Sequence, residues 1–517
     1  MGVMEKTDRA AAVDFDRFRL RRFVEGLGAD ELETRKDATE LGDIAAGLEG
    51  NPRAVLFKAA GPERQELVGN VNASRSRIAR AFGVAPAQLA AEIQRRLRGK
   101  PQIVEVTEAP VQQVVFTGKD ADLTALPVHL QHGLDGGPYI SASIDYAVDP
   151  RSGMTNVGIR RLMLRGRQET GVDLVSPSDL KAIYEASAAA GKPLPVSFVV
   201  GAHPIDHMAA VMRMPVDEIG IVAALRDAPL PVVKGVTNDI RVPADAEYVL
   251  EGYFDARGHV EPEGPYGEFL GYYGALKRNP VFHLTAITRR RDALFQTATI
   301  GGRAMSRTDT AALTAVRTEV VIWQALQNAV REPVAVHATT SSGGNFNVRV
   351  ALRQRVPGEA RNAIAACFGA LVNVKNVFVV DPDIDVTSDE QIDWALATRF
   401  QPDRDLVVMS GMRTLPLDPS LTSGRTGAKA GYDLTWPFGS TDRLETRVPE
   451  PSRFAGRRFS SVEAALSDGP KFFEELMAGV GSRDGREVVR ALESLRDKLH
   501  LDRDAEGRYL IRAAPKA

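Results

Sequence analysis

The chain has 517 residues, which is too long for a single hydrophobic core, so two or three domains are expected. Its 44% hydrophobic and 26% charged residues are typical of a soluble globular protein, and a net charge of −2 argues against nucleic-acid-binding or membrane-surface classes. No apolar run approaches the length of a membrane span, and the charged N-terminus lacks a signal-peptide core, so a cytoplasmic protein is expected.

The only cysteine is Cys367, which excludes an intrachain disulfide and a thiolate metal cluster. It lies in the apolar run 365–369, a setting typical of a buried structural thiol rather than of a nucleophile.

Residues 1–110 are predicted to form a small α/β region. An amphipathic helix is expected over Asp14–Leu27, where aromatic and aliphatic residues recur among charges. Strands are expected at Ala54–Phe57 and Glu66–Asn70. Helices are expected at Ser74–Phe82 and at Pro86–Leu97, where proline stands at the helix start.

Residues 111–306 are predicted to form a β-rich domain with helical insertions. Short β-branched runs separated by Gly, Pro and Asp predict four strands, Tyr139–Val148, Val196–Val200, Tyr248–Tyr253 and Pro280–Thr288. Two helices are predicted as insertions, Ser178–Ala190 and Pro215–Leu225.

A long helix over Thr308–Val330 (domain range 307–330) is predicted to join two domains, because its apolar residues recur at three- and four-residue steps. Alternating strands and helices then predict an α/β or α+β domain over 331–455, with elements at Val334–His337, Asn347–Leu352, Glu359–Phe368, Asn376–Val380, Ser388–Ala397 and Leu406–Met409. The segment 456–517 is predicted to supply helices for packing or assembly, at Ser460–Leu466, Lys471–Met477 and Arg486–Leu499.

The acidic stretch Glu261–Gly274 is the strongest candidate for chemistry. Glu263 and Glu268 are five residues apart, an offset that places them on opposite faces of a strand. Only the turn between them, 264–267, could direct both carboxylates into one cleft. Two acids held together beside apolar residues can raise one pKa and provide a proton donor at neutral pH. The alternative is a solvated acidic loop.

Arg161 projects from a predicted strand that begins near Thr155, after the turn 149–153. Its planar guanidinium is suited to binding a substrate carboxylate, and beside the acid pair it would also keep one glutamate ionised. The alternative is an ordinary surface arginine.

Common nucleotide motifs are missing from the sequence. No Gly-x-Gly-x-x-Gly opens a helix after a strand, and no Gly-x4-Gly-Lys-Ser/Thr occurs. The pairs His129/His132 and His203/His207 have spacings seen in metal sites but flank prolines in predicted loops, so metal ligation by them is not favoured.

Taken together in order and with matching intervals, a series of motifs resembles the UbiD family of reversible decarboxylases, which use prenylated flavin mononucleotide (FMN). The resemblance covers nearly the whole chain. The motifs are the Asp14–Leu27 helix, Val68-Gly69-Asn70, Gly136-Gly137-Pro138-Tyr139, Thr155-Asn156 with Gly158-Ile159 and Arg161, Thr237-Asn238-Asp239 with Val242-Pro243-Ala244 and Glu247, Val249-Leu250-Glu251-Gly252, Glu263–Gly271, and Asp381 with Asp383-Ile384-Asp385-Val386.

The resemblance implies a catalytic network of Arg161, Glu263 and Glu268. It gives Glu268 the role of proton donor after the carboxylate leaves as CO2. Arg161 would hold the carboxylate and, with Glu263, set the proton affinity of Glu268.

The resemblance also implies a prenylated FMN whose phosphate is bound through Mn²⁺ or Mg²⁺, often with K⁺. The implied metal ligands are Asn156, Glu218 and Asp179. Asp179 stands where the family usually has histidine, so it is either a ligand or only an acid of the first helical turn. The implied cofactor-binding residues are Asn156, Val157, Ile159, Arg161, Ser178, Met214, Pro215 and Glu218.

Two further positions depart from the family pattern. Arg160 stands where many members have tyrosine, and Asn347 stands where many have histidine. An added arginine beside Arg161 would favour a more anionic or larger substrate, such as a dicarboxylate or a coenzyme A thioester.

For the fold, the resemblance implies an α/β (α+β) protein with an N-terminal α/β segment, a split-β-barrel-like flavin-binding domain and a C-terminal α/β domain. It implies a carboxylic acid substrate, dependence on a separate prenyl-flavin synthase, and dimers or hexamers. One alternative is a non-catalytic subunit of a larger carboxylase, favoured by the missing histidine and opposed by the retained Arg-Glu-Glu set. A metal-dependent hydrolase has little support, because no histidine-rich site accompanies the oxygen ligands.

Overall fold

Six antiparallel strands close into a barrel in the larger of two units, which divide after Thr435. The structure, a computed structural model, describes residues 13–422, 425–440 and 444–512. In order round the barrel the strands are Tyr248–Phe254, Leu194–Val200, Tyr139–Val148, Thr155–Leu164, Glu169–Val172 and Val281–Arg289. Pairing of the last strand with the first closes the ring, and Val114–Thr117 pairs with the last strand as well.

The barrel strands Tyr139–Val148 and Leu194–Val200 are buried on both faces, which explains why their sequences are mostly apolar. Successive side chains point to opposite faces of a strand. Phe198 accordingly packs with Phe254 and Phe282 in one core, whereas Val199 packs with helical residues in another. Tyr139–Val148 is buried along all but its last residue. With both faces covered, a run of apolar residues replaces the alternation typical of a half-exposed strand.

Between Val13 and Thr297, the parts of the chain outside the barrel strands form smaller sheets and helices. A four-stranded sheet contains Leu32–Arg35, Ala54–Ala60, Gln65–Gly69 and Phe295–Gln296, and a three-stranded sheet contains Ile103–Glu105, Leu230–Lys234 and Arg241–Pro243. The helices are Leu20–Glu25, Leu41–Leu48, Arg75–Phe82, Leu89–Leu97, Asp179–Ala189, Pro204–Val211 and Glu218–Arg226.

A helix of 21 residues, Asp309–Ala329 (the linker helix), connects the barrel to the second sheet. Thr308 caps it by accepting a hydrogen bond from the Ala311 amide at 3.2 Å. Its residues Val316 and Val320 pack in the barrel's helical core, whereas Leu326 packs in the core of the next sheet. Neither this helix nor any other in the described ranges is long and apolar enough to cross a membrane.

A mixed five-stranded sheet follows the linker helix, in the order Pro333–Ala338, Asn347–Leu352, Asn376–Val380, Thr426–Asp433 and Leu406–Arg413. Its helices are Glu359–Ala370, Asp389–Arg399 and Pro402–Asp405. Cys367 is fully buried in this core, and burial raises the pKa of its thiol to about 12, so the predicted structural role is confirmed.

The smaller unit, which begins at Trp436, has its own core. Three helices, Val462–Ser467, Phe473–Val480 and Gly485–Arg496, pack with a hairpin of His500–Arg503 and Tyr509–Arg512. The three helices were predicted from the sequence, and the hairpin was not.

The predicted mixed α/β class is confirmed, and most predicted elements appear within a few residues of their expected bounds. The first predicted helix is wrong at its start, since the helix begins at Leu20 rather than Asp14. Asp14 instead accepts hydrogen bonds from the amides of Asp16 and Arg17, at 2.9 and 3.2 Å, and so stabilises a turn. The helices Leu41–Leu48 and Pro204–Val211 were not predicted.

Candidate functional site

The acidic stretch folds as two short antiparallel pairs. Glu261–Glu263 pairs with Lys277–Asn279, and Tyr266–Gly267 pairs with Tyr273–Gly274. Glu263 is fully buried and Glu268 is 5% exposed, so the solvated-loop alternative is wrong for both carboxylates. The turn between the two strand pairs brings the side chains of Glu263 and Glu268 to one cation.

That cation is Arg161, on the barrel strand Thr155–Leu164. Its Nε and Nη2 bind the two oxygens of Glu263 at 3.0 and 3.3 Å, and its Nη1 binds Oε1 of Glu268 at 2.9 Å. Nη2 also lies 2.9 Å from Oδ2 of Asp173. The guanidinium is therefore held by three carboxylates, and the surface-arginine alternative is wrong.

The charges of this cluster shift the pKa values of its members. Burial alone would lower the pKa of Arg161, but Glu268, Glu263 and Asp173 raise it well above its ordinary value. Burial would raise the pKa of Asp173, but Arg161 and Lys277 lower it to about 2. Lys277 Nζ lies 2.9 Å from Oδ2 of Asp173 and 3.6 Å from Oε1 of Glu268, so a second cation links the two acids.

Replacing Asp173 by Asn is expected to destabilise the protein by about 2 kcal/mol at neutral pH, because a pKa lowered from 3.8 to about 2 corresponds to that stabilisation. The pKa is lower in the folded state, so the stabilisation is complete above the unfolded value and disappears as the pH falls through about 2. Urea unfolding from pH 7 downwards should therefore show the difference from wild type closing below about pH 4. Asp227→Asn, which removes an exposed partner of Arg95, is the control and should change stability little. A difference that persists unchanged at pH 2 would contradict this assignment.

Hydrogen bonds from three side chains hold the Glu263 carboxylate in place. It accepts hydrogen bonds from the Tyr139 hydroxyl at 3.0 Å and from the Asn279 amide at 3.2 Å, besides those from Arg161. A Cβ at Gly171 would lie 3.1 Å from its Cγ, so the glycine makes room for this side chain. Such a carboxylate can orient the arginine but has little freedom to move.

Glu268 and Arg161 line a cavity of about 230 Å³. Its other walls include the apolar side chains of Ile159 and Leu313 and the side chain of Asn72. The Asn72 amide is fully buried, and neither its oxygen nor its nitrogen has a hydrogen-bond partner among the described residues. The cavity therefore combines the guanidinium of Arg161, the carboxyl group of Glu268 and an unsatisfied amide.

A second cavity, of about 500 Å³, shares Ile159, Arg160, Val211, Thr310 and Thr314 with the first. The proposed metal ligands Asn156, Asp179 and Glu218 line it together. They also line an adjoining cavity of about 550 Å³ that contains Met214 and Pro215. The implied cofactor-binding residues Val157, Ile159 and Ser178 lie in the wall of the 500 Å³ cavity.

The three oxygen donors differ in their partners. Glu218 Oε2 accepts a hydrogen bond from the Val157 amide at 2.7 Å, and Asn156 Nδ2 donates one to Asp145 at 2.8 Å. Burial, together with the negative charges of Asp179 and Asp145, raises the pKa of Glu218 to about 7, although the bond from Val157 opposes this.

Asp179 begins its helix, but Ser178 provides the N-cap, by accepting from the Lys181 amide at 3.3 Å. The side chain of Asp179 is therefore not needed as a cap. Among the described residues, no group of three or more His, Cys, Asp or Glu side chains could hold a metal ion. Any metal here would be bound by two carboxylates and an amide.

The pairs His129/His132 and His203/His207 do not line the two cavities that contain Asn156, Asp179 and Glu218. His203 caps the helix Pro204–Val211, where it accepts from the Ile205 amide at 3.3 Å, and burial lowers its pKa to about 3. His129 lies 3.0 Å from the Thr297 hydroxyl. Asn347 accepts a hydrogen bond from Asn376 at 2.8 Å and is absent from the walls of these three cavities as the described residues define them.

Sequence reasoning missed Asp173 and Lys277. The signal that would have found them is the strand register, which places Leu162 beside Val172 on the neighbouring barrel strand and Glu263 opposite Lys277 in the acidic hairpin. Arg161 and Asp173, which flank the first pair, are therefore neighbours, and Lys277 lies beside Glu263. Residue patterns alone do not give that register.

Two protein-family models match the chain. The model of the 3-octaprenyl-4-hydroxybenzoate carboxy-lyase Rift-related domain (UbiD) matches residues 102–304. The model of the 3-octaprenyl-4-hydroxybenzoate carboxy-lyase C-terminal domain (UbiD_C) matches residues 311–434. The first match contains the barrel and the acidic stretch, and the second contains most of the linker helix and the five-stranded sheet.

Known proteins resemble the chain over most of its length. The anhydromevalonate phosphate decarboxylase of Methanosarcina mazei is 30% identical, over 74% of this chain and 88% of its own length. The UbiD-class enzyme HmfF from Pelotomaculum thermopropionicum, solved in complex with FMN, is 31% identical over 84% of this chain and 98% of that chain, with a TM-score of 0.78. An evolved dimeric form of the same enzyme, solved with prenylated FMN, has a TM-score of 0.75 and is 30% identical over 84% of this chain and 97% of that chain.

Proposed function

The chain belongs to the UbiD family of carboxy-lyases, and on this basis we propose that it is a prenylated-FMN-dependent decarboxylase of an aromatic, heteroaromatic or α,β-unsaturated carboxylic acid. One observation carries the proposal: Arg161, held by three carboxylates, lies with Glu268 in the wall of a cavity. The arrangement supplies a cation for a substrate carboxylate and an acid for the carbon that loses it.

In the proposed reaction Arg161 binds the substrate carboxylate and orients the carbon–carbon bond that breaks. CO2 leaves, and the bond's electron pair stays with the substrate carbon. The prenylated flavin, when bound, supplies an electron-accepting centre for that pair. Glu268 then delivers its proton to the carbon, and in the reverse direction it removes one. Glu263 keeps the guanidinium in place and charged, since Tyr139 and Asn279 fix its own position.

The residues of the larger cavities fit the flavin and a divalent metal. A volume of about 500 Å³ is within the usual range of cofactor sites. Asn156, Asp179 and Glu218 offer only oxygen donors, which suit Mn²⁺ or Mg²⁺, with K⁺ as a further ion of the site. A divalent cation would neutralise the two carboxylates, whose mutual repulsion contributes to the raised pKa of Glu218. Asp179 would thus serve where the family usually has histidine.

The proposal is tested by co-expression with a prenyl-flavin synthase. The purified protein is expected to carry a flavin with the mass of prenylated FMN, to contain Mn²⁺ or Mg²⁺, and to release CO2 from at least one acid of the proposed classes. Absorbance spectra, mass spectrometry and metal analysis measure the first two. Flavin-free protein, or loaded protein that releases no CO2 from any of these acids, would contradict the proposal.

Arg160 supports a substrate with a second anionic group, such as a dicarboxylate or a coenzyme A thioester. It lines both the 230 and the 500 Å³ cavities. Its Nε is 3.7 Å from Oδ1 of the buried Asp145 and has no hydrogen-bond partner in the described structure. Its Nη1 donates a hydrogen bond to the Ile159 carbonyl at 2.8 Å, and its Nη2 has no hydrogen-bond partner among the described residues, so Nη2 is the donor that remains for a ligand.

Arg160→Ala is expected to lower kcat/KM for dicarboxylates about tenfold or more relative to monocarboxylates, because a hydrogen bond to a charged group is worth about 1.5–3 kcal/mol. Turnover of matched mono- and dicarboxylates measures this. Arg165→Ala, which removes an arginine paired with Glu261 outside these cavities, is the control. An unchanged preference in Arg160→Ala would remove this assignment.

A further inference from the structure

The linker helix presents a polar row to the 500 Å³ cavity. Thr310, Thr314 and Arg317 recur at four- and three-residue steps, which places them on one face of the helix. Thr310 and Thr314 also line the smaller cavity that contains Glu268, whereas Arg317 lines only the larger one. The row therefore begins at the cavity that contains Glu268 and ends at Arg317 in the larger cavity.

Arg317 is a half-buried cation without an acidic partner among the described residues. It forms no ion pair or hydrogen bond with any residue that the structure describes, and its Nε is buried and unsatisfied. Burial, together with the positive charge of Arg213, lowers its pKa to about 10. Arginines removed from water are normally paired, because an unpaired buried charge is costly. Arg213 is exposed, lines the same cavity and likewise has no ion pair within the described ranges.

A second hydrogen-bond donor in the wall of this cavity also lacks a partner among the described residues. Thr414, from the segment after the strand Leu406–Arg413, lines the same cavity and is 8% exposed. Its hydroxyl has no partner among the described residues. Two guanidinium groups and a hydroxyl thus line one cavity, and the Arg317 Nε and the Thr414 hydroxyl have no partner among the described residues. This arrangement suits an anion with several acceptor oxygens.

We propose that Arg317, with Arg213 and Thr414, forms a subsite for a phosphate monoester dianion in this cavity. The two positive charges match the dianion, and its oxygens supply the acceptors that these donors lack. The phosphate could belong to the flavin cofactor, which rests on the proposed function, or to a phosphorylated substrate. Either source presents the same chemistry to Arg317.

Arg317→Gln tests the subsite through binding rather than turnover. The apo protein is titrated with FMN and with riboflavin, which lacks the phosphate, and flavin fluorescence is followed. With the cofactor as the source, the wild type binds FMN more tightly, and the variant loses about 10- to 100-fold of that preference while riboflavin affinity is unchanged. Arg98→Gln, at an exposed position outside these cavities, makes the same charge change and should keep the preference.

Thermal unfolding separates a binding role from a structural one. Removing a half-buried cation that has no partner among the described residues should leave the melting temperature of the apo variant equal to or above that of the wild type. A lower melting temperature, with FMN and riboflavin weakened equally, would assign Arg317 a structural role and overturn the proposal.

A substrate phosphate is distinguished by a second measurement. In that case the preference for FMN survives in Arg317→Gln, but inorganic phosphate binds to the FMN-loaded wild type and not to the loaded variant, as followed by phosphorus NMR. If neither the FMN preference nor phosphate binding depends on Arg317, the subsite is refuted. A wild type that binds no flavin would contradict the proposed function instead, and phosphate binding to the apo protein would then decide the subsite.

Discussion

Glu268→Gln is expected to abolish decarboxylation while leaving flavin binding intact. Glutamine keeps the size of the side chain and can still accept the hydrogen bond that Arg161 donates at 2.9 Å. It cannot deliver a proton as a carboxylic acid does, and loss of a positioned general acid lowers a rate by about 10²- to 10⁴-fold. CO2 release in a single turnover measures the rate, and the absorbance of the purified protein measures bound flavin.

The matched control is Glu261→Gln, in the same stretch of chain. Glu261 is a partly exposed carboxylate, 31% exposed, and it pairs with Arg165 at 2.7 Å rather than with Arg161. The substitution makes the same charge change at the edge of the acidic hairpin, so activity should stay near wild type. Full activity in Glu268→Gln would refute its role as donor, and equal losses in the two variants would show that the effect is not specific to Glu268.

The sequence was informative about the site because turn chemistry is local. Glu263 and Glu268 could meet only through the intervening turn of glycines and proline, and in the structure both bind Arg161. Motif order and spacing pointed to Arg161 although it is about a hundred residues away. The prediction thus contained the three residues of the network, but not the contacts that fix them.

Those contacts depend on strand pairing, which residue patterns do not determine. Asp173 reaches Arg161 only because two barrel strands pair in one register, and Lys277 reaches Asp173 only through the acidic hairpin. A shift of one residue would turn each side chain to the opposite face. The close approach of Gly274, where a Cβ would lie 2.7 Å from Oε1 of Glu268, likewise exists only after pairing.

The same limit applies to the fold. Helices with a clear apolar stripe, such as the linker helix, were predicted within a residue of their ends. Closure of the barrel was not readable from local pattern, since it requires Tyr248–Phe254 and Val281–Arg289 to pair with each other as well as with their other neighbours. The strand Thr426–Asp433 was missed because its sequence, with two glycines and two charged residues among eight, lacks the apolar alternation of a strand.

Arg161→Gln and Arg161→Lys are expected to separate charge from geometry. In Arg161→Gln, Glu263, Glu268 and Asp173 lose their shared cation, and breaking a buried ion cluster costs about 3–5 kcal/mol of stability. Lysine restores the charge but not the planar fork that reaches all three acids, so Arg161→Lys should recover much of the stability and little of the activity.

Chemical denaturation and CO2 release measure the two properties separately, with Arg165→Gln as the control. Arg165 lies just beyond the same strand and pairs with the partly exposed Glu261, so its loss should cost less than about 1 kcal/mol. If Arg161→Lys were as active as wild type, a positive charge alone would suffice. The three-carboxylate geometry would then have no catalytic role, and the assignment of Arg161 as the group that orients the departing carboxylate would fail. If instead Arg161→Gln were as stable as wild type, the positive charge of Lys277 alone would be enough to compensate the negative charges of Asp173 and Glu268.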